Sequence, residues 1–197
     1  IRVENSHLEE DELFDLRRSL STIADMVKIL NHSDDDDEPE DGWKREKKYP
    51  YPALHRLSQD VVTFPQLIQR IDQILDKFGK IRDNATPELL QIRRELAKTE
   101  GSISRTLYSI LRSAQNEGIV EKDVTPTLRD GRLVIPVIPT LKRKIKGIVH
   151  DESATGKTVF IEPTEVVEAN NRVRELEGEE RKEIIRILTD FTNKVRP

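Results

Sequence analysis

The chain has 197 residues, of which 36% are charged and only 35% hydrophobic, and its formal net charge is −4. That ratio is low for a compact two-layer globule and is typical of long helices that bury one apolar seam and expose large solvated faces. The net charge excludes a chain that is cationic over its whole surface, so any nucleic-acid contact must come from a local basic patch.

Other features of the composition indicate the cellular setting. The chain has no cysteine, which excludes disulfides and thiolate metal ligands and fits a reducing cytoplasm. No apolar run approaches the roughly 18 residues of a membrane span, and there is no signal peptide, so we expect no membrane partner. Because the sequence begins at Ile1 without an initiator Met, we expect it to be a piece of a longer protein.

Apolar residues at alternating steps of three and four predict the first helix. Such a heptad seam buries one narrow stripe against another helix, so a partner helix is required. The residues of this seam are Leu13, Leu16, Leu20, Ile23, Val27 and Leu30.

An acidic run, followed by basic residues, interrupts the helical pattern over residues 31–51. A metal-binding loop and a solvated, mobile connection are the two interpretations. A calcium loop that starts at Asp34 would need glycine at its sixth position, where this chain has Pro39. Blocks of like charge usually stay solvated, so the mobile connection is favoured.

Helical patterns return from Ala53 onward. Pro65 opens a helix that we expect to end at Gly79. A cap, a first-turn proline and a first-turn acid at Thr86-Pro87-Glu88 then predict the start of a long helix reaching about Gln115. The predicted seam of the helix after Pro65 consists of Phe64, Ile68, Ile71, Leu75 and Phe78. That of the long helix consists of Leu89, Ile92, Leu96, Ile103, Leu107 and Ile110.

Prolines exclude a continuous helix after Val120, and short β segments are predicted instead. Asp130-Gly131 predicts a turn, and three strands are expected, over residues 132–137, 141–149 and 157–162, in a small antiparallel sheet. On the first strand, Leu133, Ile135 and Val137 share one face.

A last helix is predicted from Pro163, with Glu180 interrupting its seam. Its seam residues are Val166, Ala169, Val173, Leu176, Ile184, Leu188, Phe191 and Val195. The fold class is therefore α+β, with long antiparallel helices and a small antiparallel sheet inserted between helical arms. We divide the chain into a helical part at 1–119, a small β part at 120–162 and a returning helix at 163–197.

Two local motifs suggest chemistry that their surroundings do not support. Gly156-Lys157-Thr158 resembles part of a phosphate-binding loop, but Asp151 occupies the position where such a loop needs its first glycine, and no helix is predicted to follow. His150, Asp151 and Ser153 are neighbours on one loop, and adjacency does not make a catalytic triad; we expect a hydrogen-bonding role for His150. We therefore predict no catalytic residue and no metal ligand.

Phe160-Ile161-Glu162 matches the Phe-x-Glu pattern with which mismatch-repair MutS proteins contact a mismatch. Here the pattern ends a predicted strand, and we interpret Phe160 as part of the core of the small sheet.

Alternating lysines form the most informative basic patch. Lys142, Lys144 and Lys146 would project from one face of a strand, with Arg143 on the other face and Lys157 joining from the third strand. One interpretation is contact with nucleic-acid phosphates, without base stacking because no aromatic residues are interleaved. The other is the solvated face of an edge strand, where lysines prevent unwanted pairing.

Several long segments resemble the signatures of the MutS-II family, a branch of the MutS ATPases. The resemblance spans nearly the whole chain except the acidic stretch at 33–48, and this chain carries Thr155-Gly156-Lys157 where the family often has small residues. The segments that carry it are RDGRLVIPV at 129–137, GIVHD at 147–151, TVFIEP at 158–163, VVEANNRVRELE at 166–177, TPEL at 86–89 with IRRE at 92–95, and LRRSL at 16–20.

The resemblance implies that this chain does not itself hydrolyse ATP or cut DNA. Members of the family are dimeric ATPases with a C-terminal Smr nuclease module and no mismatch-reading N-terminal domain. They are linked to branched DNA, to suppression of recombination and, in some bacteria, to rescue of collided ribosomes. The matched region corresponds to their helical core, levers and clamp, so we expect no cofactor here, and ATP and Mg²⁺ in the full-length protein.

Overall fold

A computed structural model of the chain describes residues 6–32 and 49–196. These residues form an α+β fold of long helices and one small antiparallel sheet, which confirms the predicted class. They fall into two compact units, one from residues 6–32, 49–85 and 185–196 (unit 1) and the other from residues 86–184 (unit 2). The division of the chain into segments 1–119, 120–162 and 163–197 stays a prediction. The acidic run predicted as a solvated connection lies within 33–48, outside the described residues.

Unit 1 contains three complete helices, α1 (Glu10–Asn31), α2 (Pro52–Ser58) and α3 (Pro65–Ile74), and the end of the last helix of the chain, from residue 185 onward. α1 contacts both α2 and α3, which supplies the partner helix that its seam requires. Leu13 is fully buried, but Ile23 is 42% exposed, so the predicted seam is buried best in its first half. An ion pair between Arg17 Nε and Asp72 Oδ1, at 2.9 Å, joins the polar edges of α1 and α3.

The helix after Pro65 is shorter than predicted. α3 ends at Ile74, and Leu75 already has extended backbone. The carboxylate of Asp76 accepts hydrogen bonds from the backbone N–H groups of Phe78 and Lys80, which closes a turn and leaves Phe78 72% exposed. The prediction of a seam through Phe78 was therefore wrong, because Asp76 satisfies locally the N–H groups that a longer helix would have used.

Gly79 is required in this turn for two reasons. Its φ of +79° is disfavoured for other residues. A Cβ atom at this position would also lie 2.9 Å from Cγ of Phe14 on α1.

Unit 2 begins with α4 (Pro87–Asn116), which starts and ends close to the predicted residues. The Thr86 hydroxyl accepts a hydrogen bond from the Leu89 N–H at 3.1 Å and donates one to Glu183 at 2.7 Å. α5 (Thr164–Val195) runs antiparallel to α4: successive bonds join Thr86 to Glu183 and Arg93 to Glu180. Glu180, which interrupts the seam of α5, thus holds a partner on α4 at 2.7 Å.

Four strands connect α4 to α5: β1 (Thr127–Arg129), β2 (Arg132–Val137), β3 (Gly147–Glu152) and β4 (Val159–Pro163). They form an antiparallel sheet in the order β1-β2-β4-β3. β1 and β2 are joined at Asp130-Gly131, where both φ angles are positive (49° and 73°), as a two-residue hairpin turn requires. The predicted bounds of β2 match the structure, whereas β1 was not assigned as a strand from the sequence.

One side of the sheet packs on the apolar faces of α4 and α5. Leu133, Ile135 and Val137, predicted to share a face, all belong to this core, although Leu133 is only partly buried. The other core residues of α4, α5 and the sheet include Ile103, Leu107, Leu111, Val159, Ile161, Val166 and Val173.

Candidate nucleic-acid interface

The basic segment, defined as Lys142, Arg143, Lys144 and Lys146, does not lie on a strand. Residues Pro139–Lys144 form a short 3₁₀ helix, and β3 starts only at Gly147. The predicted strand over 141–149 was therefore wrong. Because a 3₁₀ helix has about three residues per turn, Lys142 and Lys144 do not share one face.

Local sequence explains the 3₁₀ helix. Pro139 fits a first helical turn and cannot donate to a sheet ladder, and the Leu141 N–H donates to the Ile138 carbonyl at 2.9 Å. Leu141 and Ile145, four residues apart, both point to the core of unit 2. The cations between them are consequently turned to solvent.

The end of the basic segment is fixed to the end of β4 and the start of α5 by backbone contacts. The Lys146 carbonyl accepts a hydrogen bond from the Thr164 N–H at 3.1 Å. Gly147 lies opposite Pro163, and a Cβ atom at Gly147 would be 2.2 Å from the Glu162 carbonyl oxygen. Glycine is thus required for the two strands to approach this closely.

All four cations of the basic segment are exposed, as is Lys157. No carboxylate within 6–32 or 49–196 forms an ion pair with any of the five. Lys157, however, lies in the turn between β3 and β4, beyond Glu152, whereas Lys146 precedes Gly147. Since β3 has six residues, it separates Lys157 from the basic segment by about 17 Å or more.

A buried carboxylate lies close to the basic segment in the fold, and sequence reasoning assigned it no role. Glu162 on β4 is 0% exposed. One carboxylate oxygen accepts hydrogen bonds from Arg132 Nη1 at 2.7 Å and Asn170 Nδ2 at 2.8 Å, and the other contacts His150 Nε2. Arg132 also donates to Asn171 at 2.6 Å. We call these five residues the Glu162 cluster.

The cluster keeps Glu162 ionised despite its burial. Burial alone would raise the pKa of Glu162, but hydrogen bonds from His150, Asn170 and Arg132 outweigh it, and the pKa lies below the ordinary value of 4.5. A buried charge that is fully paired in this way fixes the geometry of the elements that supply its partners.

A β-bulge directs His150 into the cluster. Val149 pairs with Ile161 and Asp151 pairs with Phe160, so His150 is the extra residue between them. Bulges of this kind change the direction of a side chain on an edge strand. The hydrogen-bonding role predicted for His150 is confirmed.

The residues that resembled catalytic motifs are used for structure. Asp151 lies 3.6 Å from Arg129, and the Ser153 hydroxyl accepts from the Thr158 N–H at 3.1 Å. Gly156 has a φ of +64° in a tight turn between two strands, with no helix after it. Phe160 is 7% exposed under the Arg129 guanidinium, which confirms its place in the sheet.

The Glu162 cluster joins four of the segments that carry the family resemblance. Arg132 comes from 129–137, His150 from 147–151, Glu162 from 158–163, and Asn170 and Asn171 from 166–177. One signal in the sequence could have located it, namely a single acid at the end of a short apolar strand, where an unpaired charge is not tolerated.

The structure also bears on metal sites and membrane spans. Within 6–32 and 49–196, no three potential metal-ligating side chains come together. No helix in the described part of the chain is long and apolar enough to cross a membrane.

Comparison with known proteins gives many related sequences. The chain is 38% identical over 148 residues to Endonuclease MutS2 of Pelotomaculum thermopropionicum, a match to 75% of this chain and 19% of that protein. It is 34% identical over 190 residues to Endonuclease MutS2 of Lacticaseibacillus paracasei (96% of this chain and 22% of that protein). It is 38% identical over 186 residues to Endonuclease MutS2 of a Geobacillus species (94% and 22%).

No protein-family model matches the chain. The chain spans about a fifth of the length of the curated relatives it matches, which is 22% for both the Lacticaseibacillus and the Geobacillus proteins. In the Lacticaseibacillus and Geobacillus proteins, the aligned segment covers nearly all of this chain. This agrees with the motifs that resemble the signatures of the MutS-II family. The chain therefore belongs to the MutS-II family, of whose full-length members it represents one segment.

Proposed function

We propose that this segment grips nucleic acid through its basic segment, by contact with the phosphodiester backbone and without reading base sequence. Lys142, Lys144 and Lys146 are the principal contacts, and Arg143 and Lys157 are secondary ones. The observation that carries the proposal is that these cations are exposed and lack carboxylate partners among the described residues.

Free cations are what a phosphate-binding surface requires. A cation already paired with a carboxylate would have to break that pair before it could release counterions from DNA. Elsewhere in unit 2, Arg93 and Arg172 are engaged with Glu180 and Glu95. The basic segment differs from them in keeping its charge available.

The anchoring of the basic segment also supports the proposal. Leu141 and Ile145 hold it to the core, and Lys146 is bonded to the start of α5. A fixed backbone lowers the conformational entropy that is lost when the cations bind. The Glu162 cluster adds rigidity to β3, the strand that follows.

The test is a salt titration of duplex DNA binding by the chain and by its Lys142→Ala/Lys144→Ala/Lys146→Ala variant. If each lysine neutralises one phosphate, the slope of log K against log salt should become shallower by about 2.7 on duplex DNA. Lys157→Ala alone should have a smaller effect, of at most about 0.9 in slope.

A matched control removes three exposed lysines elsewhere, in the variant Lys28→Ala/Lys122→Ala/Lys182→Ala. It lowers the net charge equally but leaves the basic segment intact. Unchanged binding by a folded triple variant, or an equal loss in the control, would contradict the assignment.

A second function is favoured by apolar side chains on the surface of unit 1. Met26 and Ile29 of α1 are 56% and 65% exposed, and Leu57 of α2 is 77% exposed. Large apolar side chains on a surface are typical of protein interfaces, so an interaction module for dimerisation or ribosome docking is the alternative. It predicts self-association that depends on protein concentration, measured by sedimentation, and no salt-sensitive DNA binding.

The activities of the full-length protein are assigned to its other parts. The relatives are named endonucleases, and we propose that nuclease activity, ATP and Mg²⁺ belong to domains beyond this segment, in a homodimer whose ATPase controls the grip. DNA, branched or duplex, is the proposed ligand, with the stalled ribosome and its RNA as the alternative. Nucleotide turnover by the isolated chain would contradict this division.

A further inference from the structure

The solvent-facing side of α4 carries a line of cations. With about 100° between successive helical residues, Arg94, Lys98, Arg105 and Arg112 all lie within about 40° of one line along the helix. All four are exposed. The remaining cation of α4, Arg93, is turned to Glu180 instead. We call the four exposed cations the α4 stripe.

Carboxylates are excluded from this side of the helix. Glu88, Glu95 and Glu100 are the acids of α4, and each is about 100° or more from the line of the stripe. Acids outnumber cations in the whole chain, 37 to 33, and a solvated helix face ordinarily mixes both signs. An acid-free line of four cations therefore departs from what the composition alone would give.

No structural role accounts for the stripe. The apolar residues of α4, such as Ile103 and Leu107, are on the opposite side of the helix and form the core. None of the four cations forms an ion pair with a residue in the described ranges. Their charge is thus available to a partner.

The residues between the cations suit a close partner. Gly101 lies in the stripe, and a Cβ atom there would meet only the end of Arg105, at 3.8 Å, so packing does not require glycine. Glycine lowers helix stability by about 1 kcal/mol at such a position. Because it has no side chain, it leaves a shallow place on the helix surface in the middle of the stripe. Tyr108, 48% exposed, adds a hydroxyl donor on the same side.

We propose that the α4 stripe is a second surface that binds the phosphodiester backbone of duplex DNA. From Arg94 to Arg112 it extends about 27 Å along a rigid helix. A duplex, with one charge per about 1.7 Å of its axis, is a rigid polyanion that can face all four cations at once. Three of the four are arginines, whose planar guanidinium groups bind phosphate in bidentate fashion.

The inference rests on the proposed function for the class of ligand, but it concerns different residues and can fail separately.

The experiment compares the chain with its Arg94→Gln/Lys98→Gln/Arg105→Gln/Arg112→Gln variant in a salt titration with labelled duplex DNA. Glutamine preserves helix propensity, so the fold should be retained, as circular dichroism would show. Because the variant lacks four cations that each neutralise one phosphate, the slope of log K against log salt should become shallower by about 3.6.

Controls separate the stripe from net charge and from the basic segment. The variant Lys28→Gln/Lys122→Gln/Arg181→Gln/Lys182→Gln removes the same charge at exposed positions and should keep most of the slope. If the stripe variant binds duplex as the unmodified chain does, while the Lys142/Lys144/Lys146 variant loses binding, only this inference is overturned. If the stripe variant loses binding and the lysine variant does not, this inference stands and the basic-segment assignment fails.

A competition experiment tests the class of partner. Unlabelled duplex should displace the labelled duplex from the unmodified chain far better than polyglutamate of equal total charge, because a flexible polypeptide does not present a fixed array of phosphates. Equal displacement by polyglutamate would overturn the assignment to DNA.

Discussion

Glu162 is a carboxylate without exposed surface whose partners come from three different elements. Arg132 belongs to β2, His150 to the bulge of β3, and Asn170 to α5. Since β2, β3 and α5 meet at this one side chain, its charge links the edge strand next to the basic segment to the rest of unit 2.

Replacing Glu162 by glutamine should destabilise unit 2. The amide keeps the size of the side chain but removes the charge that compensates the partly buried Arg132 guanidinium, a change that typically costs about 3 kcal/mol. Urea unfolding at neutral pH measures the effect. Glu168→Gln, on the exposed side of α5, is the control and should change stability by less than about 0.5 kcal/mol; equal stability of the two variants would exclude a central role for the cluster.

The contribution of Glu162 should also depend on pH. Its pKa in the folded chain is below the ordinary value of 4.5, because the hydrogen bonds from His150, Asn170 and Arg132 outweigh burial. The stabilisation is therefore complete above the unfolded pKa and is lost as the pH falls through the folded pKa. The difference in unfolding free energy between the chain and Glu162→Gln should shrink as the pH is lowered below 4.5; a difference that grew on acidification would reverse the sign of the argument.

Gly147→Ala should weaken the junction between the basic segment and β3. The added Cβ would be 2.2 Å from the Glu162 carbonyl oxygen, so the backbone must move, at a cost of about 1–3 kcal/mol. Thermal unfolding would detect the loss, and hydrogen exchange should increase at the Thr164 N–H, which bonds to Lys146. Native-like exchange in the variant would mean that the junction is looser than the structure indicates.

Among the elements, the helices could be predicted because their signals are local. Thr86-Pro87-Glu88 combines three start signals that act within one turn, and α4 begins there. The 3₁₀ helix was missed because the alternation of lysines suggested a strand, although Leu141 and Ile145, four apart, are the residues that face the core. A period of two among solvent-exposed residues does not show which residues are buried, so it does not indicate a strand.

The Glu162 cluster could not be predicted from the sequence for a different reason. Its members are spread from Arg132 to Asn171, and only the sheet register brings Glu162 beside the bulge at His150. The periodicity within one helix or strand does not show which residues of different elements come into contact. The α4 stripe, in contrast, could have been found by applying the helical period to charged residues as well as to apolar ones.

Gly101→Ala tests whether the glycine in α4 serves the close approach of DNA. Alanine should stabilise the helix by about 1 kcal/mol, since no atom within 3.4 Å would contact the new methyl group. If the shallow middle of the stripe serves close approach of DNA, the same variant should bind duplex more weakly despite its higher melting temperature. Tighter or equal binding would remove that reason for the glycine.

At the scale of the whole molecule, the negative net charge and the basic surfaces have to be considered together. A chain with a charge of −4 repels DNA at long range, so the proposed binding would depend on local cations and should fall steeply with salt. The basic segment and the α4 stripe both lie in unit 2, whereas the exposed apolar residues of α1 and α2 lie in unit 1. The two proposed functions therefore use different units of the chain and can be measured independently.

Salt-titrated binding of the unmodified chain, measured side by side with junction DNA, duplex DNA and ribosomes, tests the nucleic-acid grip most directly. We predict binding to both DNA forms that weakens as a steep power of salt concentration and is insensitive to base sequence. Binding to ribosomes alone, or self-association without salt-sensitive DNA binding, would contradict the grip and favour the interaction module.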